Sequence, residues 1–482
     1  MLQLILNKVA YLAEQLDTKV FLVGGAVRDL LLNRPCGDLD FVVAGGAVDF
    51  AKKAAGLLGG SFILLDEKNA VARIAVKKAG TVFTADFTGT PPGSIGQNLL
   101  KRDFTINAMA LPLQNLPDTL GPNVGDYILD TCGGLQDLRA KTIKMVYPEA
   151  FKDDPLRLLR AMRLAARLEM AIDENARAQI KKDARLLSLV SAERIRDEFF
   201  KLLEVEQSHH TILEMDELGL TAEVIPFRDS LAATEQNGYH SVDVWRHCLA
   251  SLGELEKTDL PSVAESFAEE MVAFLQGELT TGRTRWQLLK FCSLIHDCGK
   301  AATKGVNKAG RITFLGHEQA GARLAVGLAG QLQLSNREIN FVNTIVFNHM
   351  RPLQLFKLTG DRAAAIRRYF RKTDGEGATI LLHALADHNS DWGPLKKEED
   401  CQRFGRMASS LVQQYWKDRS LREYTPLLTG QDLLSELGLT PGPKIGKLLA
   451  RLEKEHLARG EMTRTEALTY CRQLENKTPL PD

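Results

Sequence analysis

The chain has 482 residues, 44% of them hydrophobic, with 61 Lys plus Arg balanced by 61 Asp plus Glu. That length exceeds what one core serves and predicts roughly three or four domains or subdomains, while the ordinary apolar fraction and balanced charge exclude a disordered chain and a uniformly basic coat. The seven cysteines (Cys36, Cys132, Cys248, Cys292, Cys298, Cys401, Cys471) are scattered and never in CxxC spacing, which excludes a disulfide framework or zinc ribbon and predicts a cytoplasmic protein.

The first segment, MLQLILNKVAYLAEQL, reads as an amphipathic helix. It lacks a cationic start followed by a long apolar run, so neither secretion nor a membrane span is expected. Residues 20–146 alternate short β-branched runs (VFLVGG, DFVVAGG, FILLDE, ARIAV, VFTADF, TIKMV) with helical stretches, the pattern of an α/β or α+β domain. From Asp153 onward, apolar residues at three-and-four spacing take over and the chain reads as helical.

Segment 20–43, VFLVGGAVRDLLLNRPCGDLDFVV, reads strand, turn, helix, loop, strand. Gly24 and Gly25 leave backbone amides uncovered where a phosphate can approach, and Arg28 adds a cation one turn into the helix. Alone, such a turn is more often tight packing than a phosphate site. Asp38 and Asp40 stand two apart at a strand start, so the period of two puts both carboxylates on one sheet face. A pair of this kind suits Mg²⁺ with phosphate oxygens completing its shell. By itself it is more often two surface acids; beside a phosphate turn it has the parts for in-line attack on an α-phosphate.

GGAVRD, the DLD and KRDFTINAMA at 101–110 resemble the signature of class II tRNA nucleotidyltransferases and bacterial poly(A) polymerases. Segments 130–146, 151–168 and 191–203 resemble the family's later motifs, in the family's order. The resemblance implies that Asp38 and Asp40 bind two Mg²⁺, that Gly25 and Arg28 hold the triphosphate, and that Arg102 and Asp103 contact phosphate and ribose. Residues 153–168 read as one helix with Asp153 and Asp154 in its first turn and Pro155 near its start. Asp154, Arg157 and Arg160 are then spaced by three on one face, where an exposed salt bridge is the plainer account. In the family the residues matching Asp154 and Arg157 read the Watson–Crick edge of the incoming base, with Arg160 beside them. Asp153 stands where a Glu is common. Between VFTADF and LLKRDFTINA lies only TGTPPGSIGQN, shorter than the flexible segment of full CCA-adding members; the resemblance links so short a segment to enzymes that add only the two cytidines, so CC addition alone stands open beside CCA addition.

Downstream, LIHDCGK sets His296 beside Asp297, preceded by His247 and followed by His317, His349 and Asp387. Neutral imidazoles with carboxylates suit a divalent transition metal. Their order resembles the HD phosphohydrolase superfamily, which implies a core of His247, His296, Asp297 and Asp387, with His317 and His349 for a second ion. Residues 351–372 hold seven Lys or Arg against one acid, which reads as an RNA-facing helix or a solvated one. The tail from Leu428 resembles that of HD-containing members, and its PGPKIG turn and basic helix suit an acceptor stem.

The whole predicts an α+β multidomain chain. A mixed-sheet, polymerase-β-like palm at 1–145 precedes an all-α neck and body (146–230), an HD domain (235–395) and a C-terminal helical region (400–482), with a linker at Asp391–Lys397. The expected function is template-independent transfer of CMP and/or AMP from CTP and ATP to tRNA 3′ ends. The alternatives are a poly(A) polymerase of the same family, or primarily an HD phosphohydrolase acting on phosphorylated RNA ends or nucleotides.

Overall fold

The computed structural model describes residues 2–78, 81–91, 93–114, 124–359, 362–390, 393–418, 426–459 and 462–477. Asp391 and Trp392 of the expected linker lie outside them. The chain forms two compact units, Met1–Val224 and Ile225–Asp482.

The first unit is built on a seven-stranded mixed sheet in the order β3-β4-β5-β2-β1-β6-β7. Its strands are β1 (Val20–Val23), β2 (Asp38–Ala44), β3 (Ser61–Asp66), β4 (Val71–Lys78), β5 (Thr81–Thr90), β6 (Met109–Pro112) and β7 (Leu129–Asp130). β2 and β5 pair in parallel and the other neighbours are antiparallel. The β-branched runs form β1 to β5 because branched side chains pack well on a pleated surface. Leu39, Phe41 and Val43 of β2 turn into the core, where Phe41 stacks on Phe87 with ring centres 4.9 Å apart. The opposite period of β2 brings Asp38 and Asp40 out. Helices Leu2–Gln15 and Ala47–Leu58 bury the apolar stripes that their three-and-four spacing predicts.

Three sequence expectations change. TIKMV contributes only Thr142–Ile143, paired with Ala171–Ile172 outside the large sheet. The strand beside β1 comes instead from Met109–Pro112, whose unbroken apolar run buries on both faces and shows no alternation. The helix expected over 153–168 is broken: Ala150–Asp153 closes one helix, Asp154 is extended (φ −146°, ψ 97°), and Arg157–Leu168 opens the next. Pro155 accounts for this, since its ring disfavours helical backbone in the residue before it.

Among its described residues the second unit is helical apart from two small hairpins, Glu278–Thr280 with Arg283–Thr284 and Lys304–Val306 with Ile312–Phe314. Five helices frame its centre: Val244–Glu256, Arg285–Ile295, His317–Gln331, Asn336–Asn348 and Gly377–Asn389. No described helix is long and apolar enough to cross a membrane.

Candidate active site

In the first unit, register pairs Val23 with Asp40 and, across β5, Asp40 with Asp86. Asp38 and Asp40 therefore open on the same side as the turn at Gly24 that ends β1. Gly24 has φ +76°, and a Cβ there would stand 2.7 Å from Arg102 Nη1 and 3.2 Å from Asp40 Oδ2, so glycine is required by both backbone and space. Desolvation, with Asp86 and Asp38 adding to it, raises the Asp40 carboxyl above the usual range against the pull of Arg102. An acidic face that resists its own ionisation fits a divalent cation, whose charge would relieve the repulsion. Thr84 donates to Asp38 Oδ1.

Asp86 was not singled out in the sequence; its parallel register with Asp40 puts it on the same face. Its carboxylate takes both Nε and Nη2 of Arg73 at 2.7 Å. Arg28 lies beneath the turn, 5% exposed, with Nη1 donating to Asn107 Oδ1 at 2.6 Å and Nε to Asp29 at 2.8 Å. Asp103 is buried: Oδ1 accepts from the Phe104 amide and Asn107, and Oδ2 holds Arg160 Nε at 2.8 Å. Arg160 is thus the more open member of that pair. Arg102 reaches over Gly24, and its Nε has no hydrogen-bond partner among the described residues.

The two residues expected to read the base are held by separate partners, not by each other. Asp154 Oδ2 accepts from Arg194 Nη2 at 2.8 Å. Arg157 donates through Nη1 to the Tyr147 hydroxyl (2.8 Å) and the Ala150 carbonyl (3.2 Å), and through Nη2 to the Lys101 carbonyl (3.0 Å). That last bond ties Arg157 to the loop carrying Arg102 and Asp103. An intrahelical Asp154–Arg157 bridge is not formed.

In the second unit, His247, His296, Asp297, His317, His349 and Asp387 converge. Asp297 Oδ2 lies 3.5 Å from His247 Nε2 and 3.2 Å from His296 Nε2, and its Oδ1 lies 3.4 Å from His317 Nε2 and 3.6 Å from His349 Nε2. Asp387 Oδ1 joins the first pair at 2.8 and 3.3 Å. Two ligand sets result, His247–His296–Asp297 and Asp297–His317–His349. The orientation of each ring is fixed from behind. Nδ1 of His296, His317 and His349 donates to the carbonyl three residues upstream, at 3.0, 2.7 and 2.6 Å, and His247 Nδ1 meets Ser390 Oγ at 3.2 Å. Nε2 is left pointing inward in each case, the outer anchoring that metal-binding imidazoles use. His317 and His349 face each other Nε2 to Nε2 at 3.2 Å, an approach of two lone pairs that calls for a cation or a proton between them. The donor set therefore fits divalent transition ions.

Burial opposes a charge on His296, yet Asp297, Cys248 and Asp387 hold it well above the usual histidine range. Against the same burial, Lys300 and His296 keep Asp297 well below the carboxylate range, with Lys300 Nζ 2.5 Å from Asp297 Oδ2. Two residues here were missed in the sequence. Lys300 stands three positions past Asp297, and His383, one helical turn before Asp387, is fully buried with both ring nitrogens unpartnered among the described residues. The i, i+4 spacing to Asp387 was the available signal. Gly299 seats this loop: a Cβ would stand 2.1 Å from the His317 carbonyl and 2.5 Å from the Gly321 nitrogen. Gly299→Ala is expected to cost about 1–3 kcal/mol, the scale of overpacking, and thermal unfolding at the wild-type midpoint would refute this.

Residues 20–144 match the model for the poly A polymerase head domain, and residues 169–231 match that for a probable RNA- and SrmB-binding site of polymerase A. An A-adding tRNA nucleotidyltransferase of Deinococcus radiodurans is 31% identical over 469 residues, covering 95% of this chain and 96% of that protein. The chain belongs to the tRNA nucleotidyltransferase and poly(A) polymerase family. Within this family, a CC-adding tRNA nucleotidyltransferase of Geobacter sulfurreducens is 29% identical over 473 residues, covering 98% and 96% of the two chains. Among solved structures, a CCA-adding enzyme in complex with CTP has a TM-score of 0.63 at 20% identity, covering 98% of this chain and 95% of that one, a likeness in fold. Family membership carries with it a divalent metal at the nucleotidyltransferase site.

Proposed function

We propose that the chain adds CMP from CTP to tRNA 3′ ends without a template, and that it stops after the two cytidines. The observation that carries the transfer reaction is the convergence of Asp38, Asp40 and the Gly24 turn on one side of the sheet. Asp38 and Asp40 would hold Mg²⁺, which when bound supplies charge neutralisation for the triphosphate and activates the RNA 3′-hydroxyl. The Gly24–Gly25 turn and Arg102 bind and orient the triphosphate, while Arg28 stiffens the turn from below. Asp154 and Arg157 choose the base, Asp154 exchanging Arg194 for its edge and Arg157 offering the donors that Tyr147 and the two backbone carbonyls leave open, as an Arg–carboxylate pair can do for cytosine or adenine. Asp103 acts on the ribose through the Arg160 that it holds.

The stop after two cytidines rests on the connection after β5. Only Pro91–Ser94 separate Thr90 from helix Ile95–Leu99, and Ser94 Oγ is tied to Thr90 Oγ1 at 2.6 Å and to the Pro91 carbonyl at 2.5 Å. A connection of so few residues has little reach to reshape the pocket for adenine. Incubating tRNA that ends at the discriminator base with CTP, ATP or both, alongside a generic oligonucleotide, and sequencing the products tests this. Two cytidines on tRNA alone is the expected result; a full CCA, a lone adenosine or tailing of the oligonucleotide overturns it.

A second reading is favoured by the four converging Nε2 atoms: a hydrolytic site for phosphorylated RNA ends or nucleotides, holding divalent transition ions. The division into a palm (1–145), neck and body (146–230), HD domain (235–395) and C-terminal region (400–482), in a cytoplasmic protein, belongs to the same reading. The basic faces at 351–372 and beyond Pro443 meet the phosphates of folded RNA.

A further inference from the structure

Tyr147 has no part in the reading above, yet it sits at the base-selecting end of the site. Its half-buried hydroxyl donates to Asp153 Oδ2 at 2.7 Å and accepts from Arg157 Nη1 at 2.8 Å, and the guanidinium carbon lies 5.9 Å from its ring centre. The other contacts of Arg157 are to backbone carbonyls, of Ala150 and Lys101.

A guanidinium has five N–H donors: two on each Nη and one on Nε. Tyr147 and the Ala150 carbonyl take both from Nη1, and the Lys101 carbonyl takes one from Nη2. What remains is the Nε–H and the second Nη2–H. The polarity of the arrangement is set by Asp153, because a hydroxyl that donates to a carboxylate turns a lone pair, not a proton, toward Arg157. We propose that Tyr147 is a positioning residue for nucleotide selection: with Asp153 behind it, its hydroxyl occupies Nη1 of Arg157 and so presents the Nε and Nη2 donors to the incoming base. The inference rests on the assignment of base reading to Arg157.

Tyr147→Phe keeps the ring under the guanidinium and removes only the hydroxyl. For the nucleotide that the wild type prefers, KM is expected to rise about tenfold, the loss of one hydrogen bond to a charged group, with kcat within twofold. The preference for that nucleotide over the other falls by a similar factor, and the thermal midpoint stays within a degree or two. Asp153→Asn should show the same effect in weaker form. Because both changes act through one hydroxyl, the double variant should be no worse than Tyr147→Phe alone. Unchanged KM and preference in Tyr147→Phe overturn the proposal, as does an equal fall in kcat for both nucleotides. A wild-type chain that adds neither nucleotide to tRNA would overturn the assigned reaction instead.

Discussion

In an Asp40→Asn variant, nucleotide incorporation into tRNA is expected to fall at least about a thousandfold, while the thermal midpoint of the metal-free protein holds or rises. Both outcomes come from the same carboxylate. The loss of activity follows from removing a charge that divalent cations need at the reacting phosphate, a contribution of several kcal/mol, at about 1.4 kcal/mol for each factor of ten. The gain in stability follows from the upward displacement of its ionisation. Desolvation, Asp86 and Asp38 together outweigh Arg102, so the folded chain binds the Asp40 proton more tightly than the unfolded chain does. A carboxyl displaced in that direction detracts from stability once pH rises past the ordinary carboxylate value, and the penalty is complete above the folded value. The neutral amide keeps the shape and removes the penalty. Incorporation assays and unfolding scans on one preparation check both halves; a variant that is inactive and also less stable would mean that Asp40 holds the fold together and has no special link to the metal.

How far this site was legible in the sequence depends on what each residue had to reveal. Asp38 and Asp40 needed only a strand and a period of two, and the β-branched run DFVVAGG provided the strand. Asp86 needed one more step, the parallel pairing of β2 with β5, which no local pattern specifies. Arg28 was readable as a cation near the turn, but not the direction of its side chain, since a rotamer is chosen by tertiary partners such as Asn107. The break at Asp154 was available in principle, because Pro155 restricts the residue before it; the run of helix formers on either side masked it. In the second unit the order of histidines and aspartates was legible, whereas the carbonyls that aim the rings were not, as any helix end offers them. His383 lacked a motif to draw attention to it; its i, i+4 spacing to Asp387 was a faint signal, and its burial without partners among the described residues is what marks it.

The second large effect is expected at Asp297, whose two oxygens serve different imidazole pairs: Oδ2 faces His247 and His296, and Oδ1 faces His317 and His349. If these are two ion sites sharing one carboxylate, Asp297→Asn must weaken both together. The amide is neutral, and one of its ends becomes a donor turned toward imidazole nitrogens or Lys300, so neither site keeps a charged ligand from this position. Affinity for both transition ions is expected to fall at least about a hundredfold, the upper end for residues one step further from a metal. His317→Ala, by contrast, should empty one site and leave the other near wild-type affinity, because His247, His296 and Asp387 do not depend on it. Ion content after dialysis, followed by titration of Mn²⁺ or Co²⁺ into each variant, separates the cases. Hydrolysis of phosphorylated RNA ends or nucleotides should disappear with Asp297→Asn, while addition of nucleotides to tRNA stays at its wild-type rate, since the carboxylates proposed for that reaction are Asp38 and Asp40. Loss of only one ion in Asp297→Asn would show that the carboxylate is not shared. Loss of tRNA nucleotide addition in the same variant would show that the chain does not run two separable chemistries.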